Sequence, residues 1–112
     1  MKQQEIVWVK IPFSDFSETK LRPALVVSNN DYNSKFDDIV VCSITSNIQK
    51  AEYSVQLNQK DLIAGNLPIE SRIKADKIMQ INKKLIMRAF AKITEKKFCE
   101  TTAEIKKLLA KK

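Results

Sequence analysis

The side chain best placed for chemistry in this sequence is Arg22, because of the residues on its C-terminal side. The stretch Lys20-Leu21-Arg22-Pro23-Ala24-Leu25-Val26-Val27-Ser28-Asn29 sets an Arg-Pro pair at the mouth of an unbroken apolar run that ends on small polar residues. Such a run, rich in β-branched side chains and bounded by turn residues, predicts a strand buried on both faces. Pro23 is expected at the strand's first position, since it cannot donate to the ladder, and it biases Arg22 towards an extended backbone. The result is a planar five-donor fork on a stiff mount, suited to gripping a phosphate. Of the 20 basic residues only Arg22, Arg72 and Arg88 are arginine. Where lysine is the default surface cation, an arginine marks a place that needs bidentate geometry. The plain alternative is that Arg22 pairs with a loop carboxylate such as Glu18 or Asp15.

The chain has no histidine, so any phosphoryl transfer must proceed without the commonest acid–base group. Cys42 and Cys99 match no metal or redox spacing and are expected as small core residues in a reducing compartment. The net charge of +7 is uneven: residues 1–82 carry ten basic and ten acidic side chains, and residues 83–112 carry ten against three. A one-sided basic field favours a polyanion or an acidic partner, unless it is only a solvated lysine-rich helix face. Met1 to Glu5 leads straight into a strand-like run without a leader, and no apolar stretch approaches membrane-spanning length. A soluble cytoplasmic protein without membrane association is expected.

The elements that must position Arg22 are set by periodicity. At 112 residues the chain is expected to form one domain. Glu5 to Ile11 alternates around Val7, Trp8 and Val9 as a first strand stopped by Pro12, with Trp8 expected in the core or at an interface. The segment from Phe13 to Thr19 is a loop in which Phe13 and Phe16 could stack on a base or anchor the loop. Asn29 to Ser34 is turn-rich, and Asp38 to Ile44 is a strand ending in Thr45-Ser46-Asn47. Glu52 to Leu57 alternates as a strand. Asn58 to Ala64 is expected as a helical turn closed by Gly65, the only glycine. Ile69 to Ile81 reads as one or two short strands, and Leu85 to Ile93 as another. From Thr94 on, Phe98, Thr102, Ile105 and Leu109 recur at helical spacing, and Thr101 with Glu104 offers a capping box. Strands followed by one helix predict a mainly β fold, a small antiparallel barrel with a C-terminal helix packed on it.

Four pieces in order resemble the PemK/MazF family of toxin endoribonucleases. They are Glu5-Ile6-Val7-Trp8-Val9, Arg22-Pro23-Ala24-Leu25-Val26-Val27-Ser28, Ile44-Thr45-Ser46-Asn47-Ile48, and the Gly65 to Ser71 loop leading into Asp76-Lys77-Ile78-Met79-Gln80-Ile81-Asn82. The resemblance implies an SH3-like β-barrel acting as a homodimer, single-stranded RNA as substrate, a cognate antitoxin as partner, and no cofactor or metal. It implies Arg22 and Thr45 as the catalytic pair, with RNA contacts at Lys20, Ser46, Asn47, Ser71, Lys74 and Asp76. Ser46 and Asn47 also suit a plain turn, and the Thr45 hydroxyl suits a strand cap. Three departures stand out: Lys74 where some members carry arginine, no glycine between Ser14 and Lys20, and no histidine.

The chemistry that fits a histidine-free site is attack by the RNA's own 2′-hydroxyl, leaving a 2′,3′-cyclic phosphate and a 5′-hydroxyl, with Arg22 stabilising the developing charge. Asp76 is a candidate base if the fold brings it close. Two rival readings are a toxin of the same fold that poisons a protein such as DNA gyrase, and a nucleic-acid-binding module using the basic C-terminal region.

Overall fold

The computed structural model describes residues 1–12 and 19–112. The expectations for Phe13, Phe16, Asp15 and Glu18 lie outside the described residues. Among those described, the strands are β1 (Glu5–Pro12), β2 (Thr19–Val26), β3 (Asp38–Thr45), β4 (Ser54–Leu57), β5 (Leu62–Gly65), β6 (Ser71–Asn82) and β7 (Ile86–Ile93). Helix α1 (Asn30–Lys35) joins β2 to β3, and α2 (Glu95–Leu109) closes the chain. All strand pairs are antiparallel, in the order β4-β6-β3-β2-β1-β7-β5, and form one curled, half-barrel sheet.

Side-chain alternation explains why the sheet has two apolar faces. In β1, Ile6 joins Leu25, Cys42, Ile44, Leu57, Ile73 and Ile93 on the face that α2 covers. Val7 and Val9 point the other way and pack with Ala24, Val26, Ile39, Val41 and Ile86. The run Ala24-Leu25-Val26 is therefore buried throughout because its neighbours serve opposite clusters. Each fully buried Val, Leu or Ile contributes about 1.5–3 kcal/mol of transfer free energy, which outweighs the loss of a ladder hydrogen bond at Pro23.

Pro23 is not at the start of β2 but within it, opposite Trp8 of β1. It is tolerated because the pairing of β2 with β3 begins only at Ala24, so up to Pro23 the strand is paired on one side alone. The expected helical turn after Asn58 shrinks to the 3₁₀ turn Gln59–Asp61, and Leu62–Gly65 is a strand. The stretch from Ile69 to Ile81 yields one strand of 12 residues, β6.

Helix α2 starts at Thr94, whose side chain accepts from the Lys97 amide at 3.1 Å, and not at Thr101. Thr101 is fully buried in the helix, donating to the Lys97 carbonyl at 2.9 Å, while Thr102 is exposed. The packed stripe is thus Phe98, Thr101 and Ile105, set against β4 and β6. Lys97 anchors the helix start. Its ammonium lies 3.8 Å from Asp61 and 2.8 Å from Glu100, and the Lys97 and Asp61 side chains are largely buried. Cys42 is buried as expected, but Cys99 is exposed on α2.

Gly65 is needed for its position in the sheet. Its φ is +80°, and a Cβ there would stand 2.1 Å from the Phe90 carbonyl oxygen and 2.7 Å from the Ala91 Cα. Both obstacles are backbone atoms, so relief requires moving β5 away from β7. Gly65→Ala is therefore expected to lower the unfolding free energy by at least about 2 kcal/mol, read from the urea midpoint at unchanged m.

Candidate active site

The site begins where two strands part. Leu25 pairs with Cys42 and Ala24 with Ser43, and two more steps of that register would set Arg22 opposite Thr45. The ladder stops at Ala24 instead, so Arg22 and Thr45 flank an opening between β2 and β3. On its other side β3 stays paired, Thr45 with Arg72 and Ile44 with Ile73 of β6.

That opening is one end of a groove of about 470 Å³. Lys20, Arg22 and Pro23 of β2 line it, with Ser43, Ile44 and Thr45 of β3 and the following Ser46. Ser71, Lys74 and Lys77 come from β6, and Leu67, Pro68 and Ile69 from the segment before it. Trp8, Ile11 and Phe90 complete the apolar end. Among the described lining residues four are cations and none is a carboxylate. A smaller cavity of about 90 Å³ adjoins it, sharing Thr45 and Lys74 and adding Asn47, Gln49, Ala51, Ser54 and Arg72.

The walls are held by specific bonds. The Gln59 side chain donates to the Gly65 carbonyl at 3.2 Å and accepts from the Leu67 amide at 2.8 Å, which fixes the approach to Pro68 and Ile69. Ser71 is buried and donates to the Ile69 carbonyl at 2.9 Å, so it shapes the wall. Trp8 and Phe90 stack with centroids 4.6 Å apart and planes 18° off parallel. Trp8 is therefore a half-buried wall residue of the groove, not a core residue.

The polar groups have distinct capacities. Arg22 is exposed, and no carboxylate among the described residues is within ion-pair distance of its guanidinium. The Thr45 hydroxyl accepts from the Asn47 amide at 3.2 Å, as a strand cap would. Its own O–H remains available to a ligand oxygen, because a hydroxyl can accept and donate at once. Asn47 in turn accepts from the Gln49 amide at 3.1 Å through its side-chain oxygen, leaving its amide nitrogen as a donor.

Of the residues read from the sequence, Arg22, Thr45, Lys20, Ser46, Ser71 and Lys74 meet at the groove, and Asn47 lines the smaller cavity. Asp76 lines neither. Its carboxylate lies 4.0 Å from the Lys74 ammonium, with both side chains about 38% exposed, a geometry worth little in water. Sequence reading missed the apolar wall, Leu67 to Ile69 with Phe90, and it missed Arg72 as a lining residue. Among the described residues no group of three or more His, Cys, Asp or Glu is placed to hold a metal ion.

Asp76 acts on its surroundings in another way. Cys42 is buried on β3, and burial first, then the Asp76 charge, push its thiol up from 9.0 to about 11. A raised thiol pKa means that the folded chain holds a proton the unfolded chain releases, so this thiol's contribution to stability is complete below about pH 9 and is lost as pH rises towards 11. Wild type should therefore lose stability over that window relative to Cys42→Ala, as read from urea midpoints at each pH. A thiol reagent at pH 8 should modify Cys99 quickly and Cys42 only on unfolding.

Comparison with known proteins places this geometry in a family. The model of the PemK-like, MazF-like toxins of type II toxin-antitoxin systems matches residues 2–109. A direct sequence comparison with curated proteins finds no match. Among solved structures, a mycobacterial endoribonuclease in complex with its cognate antitoxin superposes at a TM-score of 0.80 and 17% identity, covering 97% of this chain and 94% of that one. A MazE-MazF structure from Deinococcus radiodurans gives 0.81 at 20% identity, covering 97% and 95%. The Mycobacterium tuberculosis toxin MazF-mt6 gives 0.74 at 16% identity, covering 92% and 93%. At such identities the likeness is one of fold.

Proposed function

The chain belongs to the PemK-like, MazF-like toxins of type II toxin-antitoxin systems, and from that premise we propose that its groove binds single-stranded RNA and cuts it by attack of the RNA's own 2′-hydroxyl. The observation that carries this reading is that Arg22 and Thr45 line one open groove with four cations and no carboxylate among its described lining. A phosphodiester is the ligand such a lining favours. The aromatic end at Trp8 and Phe90 suits a base, and base–aromatic stacking contributes about 1–3 kcal/mol per base.

In the reaction, the 2′-oxygen bonds to the adjacent phosphorus while the bond from phosphorus to the 5′-oxygen breaks. The 2′-hydroxyl gives up its proton and the leaving 5′-oxygen takes one, so the ends are a 2′,3′-cyclic phosphate and a 5′-hydroxyl. The nucleophile is part of the substrate, so no metal-activated water is required. Arg22 forks onto the non-bridging oxygens, whose negative charge grows in the transition state, and Thr45 donates its O–H to the phosphate or orients the 2′-hydroxyl. Asp76 stands off the groove and no imidazole exists in the chain, so charge stabilisation carries more of the catalysis than proton abstraction.

Fold kinship with an endoribonuclease solved in complex with its cognate antitoxin supports an antitoxin partner for this chain as well. Homodimeric assembly and cytoplasmic action on messenger RNA belong to the same proposal and rest on the family. Among the described residues, no helix is long and apolar enough to cross a membrane.

The purified protein, incubated with a long single-stranded RNA and a chelator, should give discrete fragments ending in cyclic phosphate. Arg22→Ala should lower single-turnover cleavage by about 10²–10³-fold, the usual cost of one lost oxyanion donor. Arg22→Lys, which keeps the charge and removes the fork, should fall between the two. Cleavage by Arg22→Ala within a few-fold of wild type would refute the assignment, and poisoning of DNA gyrase without RNA cutting would favour the rival class.

A further inference from the structure

We propose that the small cavity beside Thr45 is a second phosphate subsite, in which Arg72, assisted by Lys74, holds a phosphodiester adjacent to the one gripped by Arg22. The proposal rests on the ribonuclease reading and extends it from a single gripped phosphate to a strand held at two consecutive ones.

The placement comes from the sheet register. Thr45 pairs directly with Arg72 across β3 and β6, so their side chains rise from the same face about 5 Å apart at Cβ. Arg22 stands on β2, on the side of β3 away from β6, and lines the groove across the opening from Thr45. The order across the sheet is thus Arg22, Thr45, Arg72, with an opening between the first two and the proposed scissile phosphate at the middle. A strand lying across these residues meets one guanidinium on each side of Thr45.

Arg72 is held for that task. Its Nε donates to the Ser54 hydroxyl at 2.9 Å and one terminal nitrogen donates to the Ser54 carbonyl at 3.2 Å. Two of the five guanidinium hydrogens are therefore engaged, and three are left for a ligand. No carboxylate among the described residues lies within ion-pair distance of Arg72. The nearby Glu70 is bonded to Gln56 at 2.8 Å instead. A half-buried, pre-aimed guanidinium without a carboxylate partner, beside an ammonium and the Asn47 amide, selects an anion.

Size narrows the class of anion. At about 90 Å³ the cavity is on the scale of a phosphate group, whereas the adjoining groove of about 470 Å³ has room for sugar and base. Because both spaces share Thr45 and Lys74, a phosphate in the small one is covalently reachable from a nucleotide in the large one. The source of the anion is thus the same strand, one linkage along.

The test uses the RNA segment mapped in the cleavage assay, made with a 2′-deoxyribose at the cut so that it binds without reacting. Neutral methylphosphonates are then placed one at a time at the linkages flanking the cut. For wild type, one flanking substitution should weaken binding about tenfold, the scale of lost charge-assisted hydrogen bonds. Arg72→Gln should bind the unmodified strand about tenfold more weakly, lose little further on that same substitution, and show a log–log salt slope smaller by about 0.7. Equal sensitivity of wild type and Arg72→Gln to every flanking methylphosphonate, with wild type still cutting RNA, overturns the subsite alone. Absence of any cut by wild type overturns the ribonuclease reading and the subsite together. Arg72 also ties down Ser54, so Arg72→Lys serves as a second variant, expected to keep more of the binding than Arg72→Gln. The wild-type methylphosphonate scan needs no variant at all, and insensitivity at both flanking linkages also overturns the subsite.

Discussion

A missing hydrogen bond organises this site. Pro23 has no N–H to give, and β2 joins β3 only from Ala24 onwards. A ladder that ran two residues further would bring Arg22 and Thr45 into adjacent positions on a closed sheet, with no room for a phosphodiester between them. The apolar packing of Ala24, Leu25 and Val26 on both faces holds the strands together up to that point, so the parting is sharp. Because proline cannot be recruited into further pairing on that side, the gap cannot close by zipping up. Any means of silencing the site has to be something other than these two strands.

The cations are divided by kind. The groove draws Lys20, Arg22, Lys74 and Lys77 from the part of the chain where charges balance, not from the last thirty residues that carry the whole surplus. The surplus of net charge thus lies outside this lining, and what the groove attracts is set by where its own cations sit. Lysines on flexible stems act as point charges that attract a polyanion at long range. Arg22 and Arg72 are both mounted on paired strands, and for Arg72 the two bonds to Ser54 set the plane of the fork before anything binds. Lys74 belongs to the first group.

Local chemistry was readable from the sequence where it depends on one strand, and opaque where it depends on two. The Arg-Pro pair singled out Arg22 and the family resemblance singled out Thr45, and both line the groove; the alternation of β1 announced a strand. Pro23 was misplaced because a single strand does not show where its second ladder starts. Gly65 looked like the stop of a helical turn, and only the approach of β5 to the Phe90 carbonyl shows that a sheet contact demands it. In α2 the apolar and small residues form a broad stripe, so spacing admitted Thr102 as well as Thr101. The sheet beneath decided between them. Arg72 was invisible as a lining residue because its link to Thr45 runs through a ladder with an irregularity between Cys42 and Ile44, which no local pattern records.

The indole in the groove wall has a practical side. Trp8 is the chain's single tryptophan, and it sits half-buried against Phe90 at the apolar end of the cleft. All intrinsic tryptophan emission therefore originates at one spot, beside the place where a base would stack. Quenching or a spectral shift on titration would report occupancy of the cleft directly, with no dye attached and no background from a second fluorophore of its class.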